Sequence, residues 1–208
     1  MTYTSLRYKS YTAYLESDLG SDGNFRLLRN GEVIALPPED ERNISIADEL
    51  AFTLKQLAAS KRLVKTSAVE LQVHPIGDGR VNRKPDVLVL RPEHIELMAS
   101  FNKGAVLFGM PAPVFVAEVV SPGNKSSDNY RRDYEWKRQQ YEGWQIPEYW
   151  IIDRHRQKVT VLVLKSGQYT ETIYRGNERI CSEVFPALTY QTDQLLAGES
   201  FEHQRVLS

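Results

Sequence analysis

Cysteine is almost absent from this chain of 208 residues, which has only Cys181. A single cysteine excludes an internal disulfide framework and a zinc site built from several cysteines, and it fits a reducing compartment. Long apolar runs are also missing, because no segment approaches the roughly 20 residues that cross a bilayer. The opening MTYTSLRYKS has no apolar signal core. We therefore expect a cytoplasmic protein with no membrane partner.

Excess charge of either sign is lacking as well. The chain has 26 basic and 27 acidic side chains and a formal charge of -1. No general field therefore attracts it to nucleic acid or to an anionic membrane, and a polyanion would have to be bound locally. The sequence has no repeats, low-complexity tracts or Pro/Ser linkers. We expect one domain over residues 23–208, preceded by a polar N-terminal arm over residues 1–22 that is loosely ordered or docked.

Two early segments have clear hydrophobic patterns. Short apolar runs flank Asn30-Gly31, which is the strongest local sign of a hairpin. Residues 37–61 begin with prolines and acids and continue with apolar residues at helical spacing, which predicts the first long helix. Its apolar positions are Ile44, Ala47, Leu50, Ala51, Leu54, Leu57 and Ala58.

Two strands are predicted next, in SAVELQVHP and KPDVLVLRP, with the turn IGDGR between them. The alternation in the first strand places Val69, Leu71 and Val73 inward and Glu70, Gln72 and His74 outward. The two strands are expected to be adjacent. IGDGR has two glycines but no following Gly-Lys-Ser/Thr, so we interpret it as a hairpin turn rather than a phosphate-binding loop.

The second half continues the alternation of helices and strands. A short helical or irregular stretch over 93–101 precedes an apolar strand over 114–122, and a second long helix over 129–142 ends at Gly143. Three strands follow between 147 and 175, and Leu195-Leu196 indicates a helical turn. This order predicts an α/β fold, a mixed sheet flanked by helices. The strand over 114–122 should be central, because it is apolar on both faces.

Glu118 is an acid in that apolar strand, VFVAEVVSP. A charged carboxylate in such a place costs free energy unless a cation, a metal or several hydrogen bonds compensate it. Asp86 stands similarly, directly after Pro85 at the start of a strand. If the two strands pair, both carboxylates can converge on one hard cation. Mg²⁺ takes one or two protein carboxylates and completes its shell with water and phosphate oxygens.

A lysine on the second long helix could reach the same site. Asp133, Lys137 and Tyr141 are spaced by four residues and form one stripe of that helix. If the helix packs over the strand that carries Glu118, Lys137 could stabilise a pentavalent phosphate or lower the pKa of an attacking water.

Together these motifs resemble a known family. The order PD, EVVSP, a helix with Asp-x3-Lys-x3-Tyr, and GWQIPEYWIID is similar to the Uma-two family of restriction-endonuclease-like proteins, a branch of the PD-(D/E)XK nuclease superfamily. The resemblance spans roughly residues 25 to 165, and it implies a restriction-endonuclease-like fold. It also implies that Asp86 and Glu118 are the metal-binding acids. The signature lysine is replaced by Val120, so Lys137 would supply it from the helix.

The resemblance extends to further ligands and to an activity. In the wider superfamily an acid on the first helix often completes the site, and Glu49 is the matching candidate. Asp86, Glu118, Glu49 and the main-chain carbonyl of Val119 would then hold Mg²⁺, with Mn²⁺ as a substitute. The implied activity is that of a metal-dependent endonuclease acting on phosphodiester bonds, with DNA as the expected substrate. The implied catalytic residues are Asp86, Glu118 and Lys137.

Simpler interpretations of the same residues remain open. Asp86 could be a turn or cap residue, and Glu118 could accept hydrogen bonds from loop N–H groups near Ser121. Lys137 could form a surface ion pair with Asp133, and Glu49 could be a surface acid. The aromatic residues of this region are more typical of a core than of nucleobase platforms. These are Trp136, Trp144, Tyr149 and Trp150.

Two other classes of function compete with the endonuclease. One is a nuclease-fold protein without catalysis that binds nucleic acid or a protein partner, since a fold does not fix a function. The other is a homodimer whose interface explains the aromatic residues. The acid pair favours catalysis, because two negative charges in a site that only binds a polyanion would weaken binding.

Overall fold

The structure, a computed structural model, describes residues 7–22 and 25–198 and has a mixed α/β architecture. Its strands are β1 (Phe25–Leu27), β2 (Val33–Ala35), β3 (Val64–Thr66), β4 (Glu70–Gln72), β5 (Asn82–Arg83), β6 (Val87–Val89), β7 (Ala105–Val106), β8 (Phe115–Val119), β9 (Glu148–Asp153), β10 (Lys158–Lys165) and β11 (Gln168–Tyr174). Its helices are α1 (Tyr11–Leu15), α2 (Asp18–Asp22), α3 (Glu41–Leu57), α4 (Glu93–Ala99), α5 (Asp128–Arg131), α6 (Lys137–Gly143) and α7 (Thr192–Ala197).

Six strands form the main sheet, in the order β11-β10-β9-β8-β6-β3. β8 and β9 are parallel, and the other neighbouring pairs are antiparallel. A second sheet has the order β5-β4-β7, and β1 pairs with β2 in the hairpin predicted around Asn30-Gly31. This is a mixed sheet with flanking helices, as the sequence predicts.

Strand β8 is central, as predicted. All five of its residues are buried, and it lies between β9 and β6 in the interior of the main sheet. A strand covered on both faces has to be apolar on both faces, which is the pattern of VFVAEVVSP. The exception within it is Glu118, which is only 2% exposed. The main sheet therefore holds a carboxylate at its centre.

Helix α3 is the first predicted long helix, and its buried face differs from the prediction at one position. The Asp40 side chain caps it by accepting a hydrogen bond from the Arg42 amide at 2.9 Å. Ile44 was predicted in the apolar stripe but is 47% exposed, whereas Ile46 is buried. The buried stripe follows Ile46, Leu50 and Leu54, so Ile44 is rotated away from the sheet.

The second long helix is interrupted. It begins at Asp128 after the Ser127 cap and passes through a π-helical turn at Arg132–Trp136 before α6 ends at Gly143. The prediction of a continuous helix over 129–142 is therefore right in extent but not in regularity. π-helical turns are rare and are frequent at functional sites, and this one directly precedes Lys137.

The prediction that SAVELQVHP and KPDVLVLRP are adjacent strands is wrong. β4 pairs with β5 and β7 in the second sheet, while β6 pairs with β3 and β8 in the main sheet. The outward position of Glu70 is also wrong, because this residue is buried and accepts hydrogen bonds from Tyr11 Oη and Asn82 Nδ2, both at 2.7 Å. Helix α1 covers the face that the alternation left to solvent.

The described part of the predicted N-terminal arm, residues 7–22, is docked. Tyr11, Tyr14 and Leu15 of α1 are buried with Leu27 and Ala105 in a second apolar cluster. Residues 1–6 of the arm lie outside the described residues. No helix among the described residues is both long and apolar enough to cross a membrane.

The last predicted elements follow the expected order. Strands β9, β10 and β11 form the meander, and α7 contains the helical turn expected at Leu195-Leu196. Trp136, Tyr149 and Trp150 are buried, as predicted for core aromatics, while Trp144 is only partly buried.

Candidate active site

Asp86 and Glu118 meet at the end of the β6–β8 pair. The antiparallel register aligns Val87 with Ala117, so the preceding residue Asp86 lies across from Glu118, on the same face of the sheet. The Val119 amide donates a hydrogen bond to Asp86 Oδ2 at 2.7 Å. Burial, followed by the neighbouring Glu118 carboxylate, raises the pKa of Asp86 well above its usual range. The predicted pair of acids is thus brought together.

Glu118 is compensated by two side chains of the second long helix. Lys137 Nζ lies 3.0 Å from Glu118 Oε2, and Tyr141 Oη donates a hydrogen bond to Glu118 Oε1 at 2.5 Å. Burial and the Glu118 charge raise the pKa of the Tyr141 phenol well above its usual range, so it remains a proton donor. Both oxygens of the central carboxylate are therefore oriented by one face of α6.

Lys137 is held between two carboxylates. Its Nζ also lies 2.8 Å from Asp133 Oδ1, one turn earlier on the helix. Burial alone would lower the pKa of this ammonium, but the carboxylates of Asp133 and Glu118 outweigh it and raise the pKa. Lys137 therefore stays protonated at neutral pH. The ion pair with Asp133 exists as the simpler interpretation suggested, but it is buried and continues to Glu118.

Close packing fixes the helix that carries Lys137. Gly77, in the IGDGR turn, has a φ of +58°, and a Cβ there would lie 2.1 Å from the Trp136 ring. Only glycine permits this contact. Gln140 Nε2 donates to the His74 carbonyl at 2.9 Å, and Arg83 Nε donates to Gln140 Oε1 at 2.8 Å. The second sheet thus holds α6 in register with the main sheet.

The acid pair and the lysine open into one cleft of about 630 Å³. Asp86, Glu118, Val119 and Lys137 line it, together with the chain before α3 and the turn that contains Arg80. A cleft of this size admits part of a polymer or a small ligand. Its floor combines two carboxylates with a protonated amine, a set of groups typical of hydrolytic chemistry.

Glu49 is not brought to this cleft. Its carboxylate Oε1 lies 3.4 Å from Tyr190 Oη, and Glu49 is on the flank of α3 that faces α7. The reason is the position of Glu49 around the helix axis. The face of α3 directed at the main sheet carries Ile46, Leu50 and Leu54, and Glu49 lies on another face. The placement of Glu49 beside Asp86 and Glu118 is therefore corrected.

A different acid of the same region reaches the cleft. Glu39, two residues before α3, lines it and lies close enough to Asp86 to raise the pKa of that carboxyl further. Asn43 Nδ2 donates to Glu39 Oε1 at 2.8 Å and holds it in place. In the sequence, the acids in PPED indicate only the start of a helix. Across residues 7–22 and 25–198, no three His, Cys, Asp or Glu side chains are grouped to hold a metal ion.

Comparison with known proteins shows the family and the fold of the chain. A profile of the family Uma2, described as "Putative restriction endonuclease", matches residues 11–195. The chain belongs to the Uma2 family. Among proteins with curated descriptions, none matches this Uma2 chain.

A solved structure supports the fold. This Uma2 protein is similar to a crystal structure described as a "putative nuclease" from Anabaena variabilis, with a TM-score of 0.57 and 18% sequence identity. The match covers 81% of this chain and 87% of the other. At this identity the likeness establishes the fold alone. Family and fold together indicate a nuclease of the restriction-endonuclease type.

Proposed function

We propose that this protein is a divalent-metal-dependent endonuclease that hydrolyses phosphodiester bonds in DNA. The observation that carries the proposal is the pairing of Asp86 with Glu118 under a protonated Lys137, in a cleft of a restriction-endonuclease-like fold. Two carboxylates so close together repel each other, and this repulsion adds to burial in raising the pKa of Asp86. A cation between them would relieve it.

The donor set fits a hard cation. The carboxylates of Asp86 and Glu118, with the main-chain carbonyl of Val119, would hold Mg²⁺ or Mn²⁺, both of which prefer oxygen ligands and retain water or phosphate oxygens. When bound, the metal polarises the phosphate and lowers the pKa of a coordinated water. Glu118 is already oriented by Tyr141, and Asp86 by the Val119 amide.

Lys137 has a separate role in the proposal. Because its ammonium stays protonated between Asp133 and Glu118, it cannot abstract a proton from water. Its N–H groups would instead donate to the attacking water or to the phosphate oxygens on which negative charge develops. The dense ion pairing holds Lys137 rigid, so little reorganisation accompanies the reaction.

The direct test is cleavage of plasmid DNA, single-stranded DNA and RNA in Mg²⁺, in Mn²⁺ and in EDTA. The wild type should cleave DNA only with a divalent metal, and Asp86→Asn and Glu118→Gln should be inactive. Glu171→Gln is the matched control, since Glu171 on β11 pairs with Arg138 of α6 outside the cleft at 2.8 Å. Equal cleavage by all four proteins would indicate a contaminant or another site.

Calorimetry separates catalysis from simple binding. Titration with Mg²⁺ or Mn²⁺ should give a binding signal for wild type and Glu171→Gln that is lost in Asp86→Asn and Glu118→Gln. A wild-type protein that binds DNA, does not bind metal and does not cleave any substrate would favour the catalytically inactive module. Cleavage of RNA but not of DNA would support the proposed chemistry and identify RNA as the substrate.

A further inference from the structure

One wall of the cleft is rich in arginine. Arg26, Arg80, Arg83 and Arg132 line it, beside the acid pair and Lys137. Arg80 closes the IGDGR turn that Gly77 seats against Trp136, and Arg132 begins the π-helical turn. The fold thus brings together arginines from segments far apart in the sequence. The carboxylate floor alone would repel a polyanion, so attraction for one would have to come from this wall.

Two of these arginines share one carboxylate, that of Asp78. Asp78 receives Arg83 through two bonds of 3.0 Å, and its Oδ2 also lies 3.1 Å from Arg80 Nε. Each of the three guanidinium nitrogens of Arg83 has a partner, because its Nε donates to Gln140 as well. One carboxylate therefore serves two guanidinium groups, and Arg83 has a structural role. Arg80 has the weaker share of that carboxylate, since only its Nε lies near Asp78.

Arg80 keeps donors available. Its buried Nε has no hydrogen-bond acceptor in good geometry, and none of the described residues accepts a hydrogen bond from its two terminal nitrogens. Burial and the positive charges of Arg83, Arg132 and Arg26 lower the pKa of Arg80 to about 10. A guanidinium held among other cations, with its planar fork unused, is a receptor for an oxyanion.

We propose that Arg80 binds a phosphate of the substrate backbone next to the scissile phosphate, so that the arginine wall positions the strand over Asp86 and Glu118. This inference rests on the proposed nuclease function and names the subsite that holds its substrate. The chemistry is that of a phosphodiester anion, which accepts two parallel N–H bonds from arginine. Backbone phosphates fix register without reading sequence, so the contact supplies affinity rather than sequence specificity.

The test measures binding without cleavage. Anisotropy of a labelled DNA oligonucleotide in EDTA, over a series of salt concentrations, compares wild type with Arg80→Gln. The loss of one phosphate contact should weaken binding about fivefold at low salt and reduce the slope of log K against log salt by about one. Arg80→Lys should restore the slope, because the charge returns. Arg138→Gln, a change at an arginine outside the cleft, should match wild type.

The outcomes distinguish the two proposals. Wild-type affinity and slope in Arg80→Gln, alongside normal wild-type cleavage, would overturn the subsite and leave the nuclease intact. A wild type that neither binds nor cleaves nucleic acid would overturn both. Thermal unfolding of each variant checks the packing around Asp78, and an equal reduction of the salt slope in Arg80→Gln and Arg80→Lys would assign Arg80 a structural role and reject the subsite.

Discussion

Two buried glutamates on neighbouring strands show how differently the same residue can be used. Glu118 of β8 and Glu148 of β9 are both almost fully buried in the main sheet. Glu148 accepts three hydrogen bonds, from Trp150 Nε1 at 2.7 Å and from the amides of Glu183 and Val184 at 2.7 and 3.0 Å. Glu118 instead contacts the ammonium of Lys137 and the phenol of Tyr141, and it faces Asp86.

The difference lies in partners and access, not in burial. Two of the three hydrogen bonds to Glu148 tie the loop before α7 to the sheet, and Glu148 does not line the cleft. Its charge is used for structure. Glu118 has a cation, a second acid and an opening to solvent, which is an arrangement that costs stability and allows chemistry. A buried acid therefore indicates a site only when a like charge and a cleft accompany it.

The largest expected effect is on stability, where glutamine substitution should separate the two residues. Glu148→Gln leaves backbone amides with a weaker acceptor and should lower the free energy of unfolding by about 2 kcal/mol. Glu118→Gln should change it by less than about 1 kcal/mol, because relief of the repulsion from Asp86 offsets the lost attraction to Lys137, which keeps Asp133. Urea denaturation measures both.

For activity, the same two variants should show the opposite order of effects. Glu148→Gln should retain wild-type DNA cleavage per folded molecule, whereas Glu118→Gln should lose it. If Glu148→Gln were inactive while folded, the separation of structure from chemistry in the main sheet would be wrong.

Much of this site was predictable because its signals are local. The alternation of VFVAEVVSP identifies the central strand, and the four-residue spacing of Asp133, Lys137 and Tyr141 identifies the face over Glu118. Alternation does not say which strand is the neighbour, so β4 was assigned to the wrong sheet. The resemblance points to an acid on the first helix, which favours Glu49, but helical spacing does not give the direction in which that side chain faces. Glu39 precedes the helix and so has no place in that pattern.

The arginine wall had no local signal at all. Arg26, Arg80, Arg83 and Arg132 come from three separate segments, and contacts such as those of Gly77 with Trp136 and of Arg83 with Gln140 help to bring them to one cleft. The balanced net charge of the chain even argues against a polyanion site. Charge distribution in space, unlike total charge, requires the tertiary structure.

A smaller effect should distinguish orientation of Glu118 from its charge. Tyr141→Phe removes the hydrogen bond to Oε1 but keeps the ring, and it should lower the free energy of unfolding by about 1 kcal/mol. Metal affinity and DNA cleavage should fall by about tenfold, as expected when a group that orients a ligand is lost. Calorimetry with Mn²⁺ and the cleavage assay measure these changes.

Tyr169→Phe is the matched control for this experiment. Tyr169 is also a buried phenol and donates to the Ile146 carbonyl at 2.9 Å, outside the cleft. The control should lose similar stability and keep full metal affinity. Equal losses of metal affinity in both variants would mean that Tyr141 acts only through packing.

The smallest effect is a pH dependence of stability. It tests whether the pKa of an acid in the cleft is shifted in the opposite direction from the pKa of an acid with a structural role. Asp153 is the structural counterpart of Asp86, since burial would raise its pKa but hydrogen bonds from Tyr134 Oη at 2.7 Å and Arg156 Nη1 at 2.8 Å outweigh burial and lower it. A lowered pKa in the folded state means that Asp153 stabilises the protein above the ordinary Asp pKa, and that this stabilisation is lost as pH falls through the lowered value.

For Asp86 the sign is opposite. Its raised pKa means that the folded protein binds more protons than the unfolded chain between the ordinary Asp pKa of about 3.9 and the raised value. Stability therefore falls as pH rises through that window. In EDTA, Asp86→Asn should be more stable than wild type near pH 7, with a gain that shrinks on acidification, while Asp153→Asn should be less stable with a deficit that shrinks. Urea midpoints of the three proteins across this range measure both trends, and a pH-independent difference for Asp86→Asn would mean that the pKa of Asp86 is not raised in the folded protein.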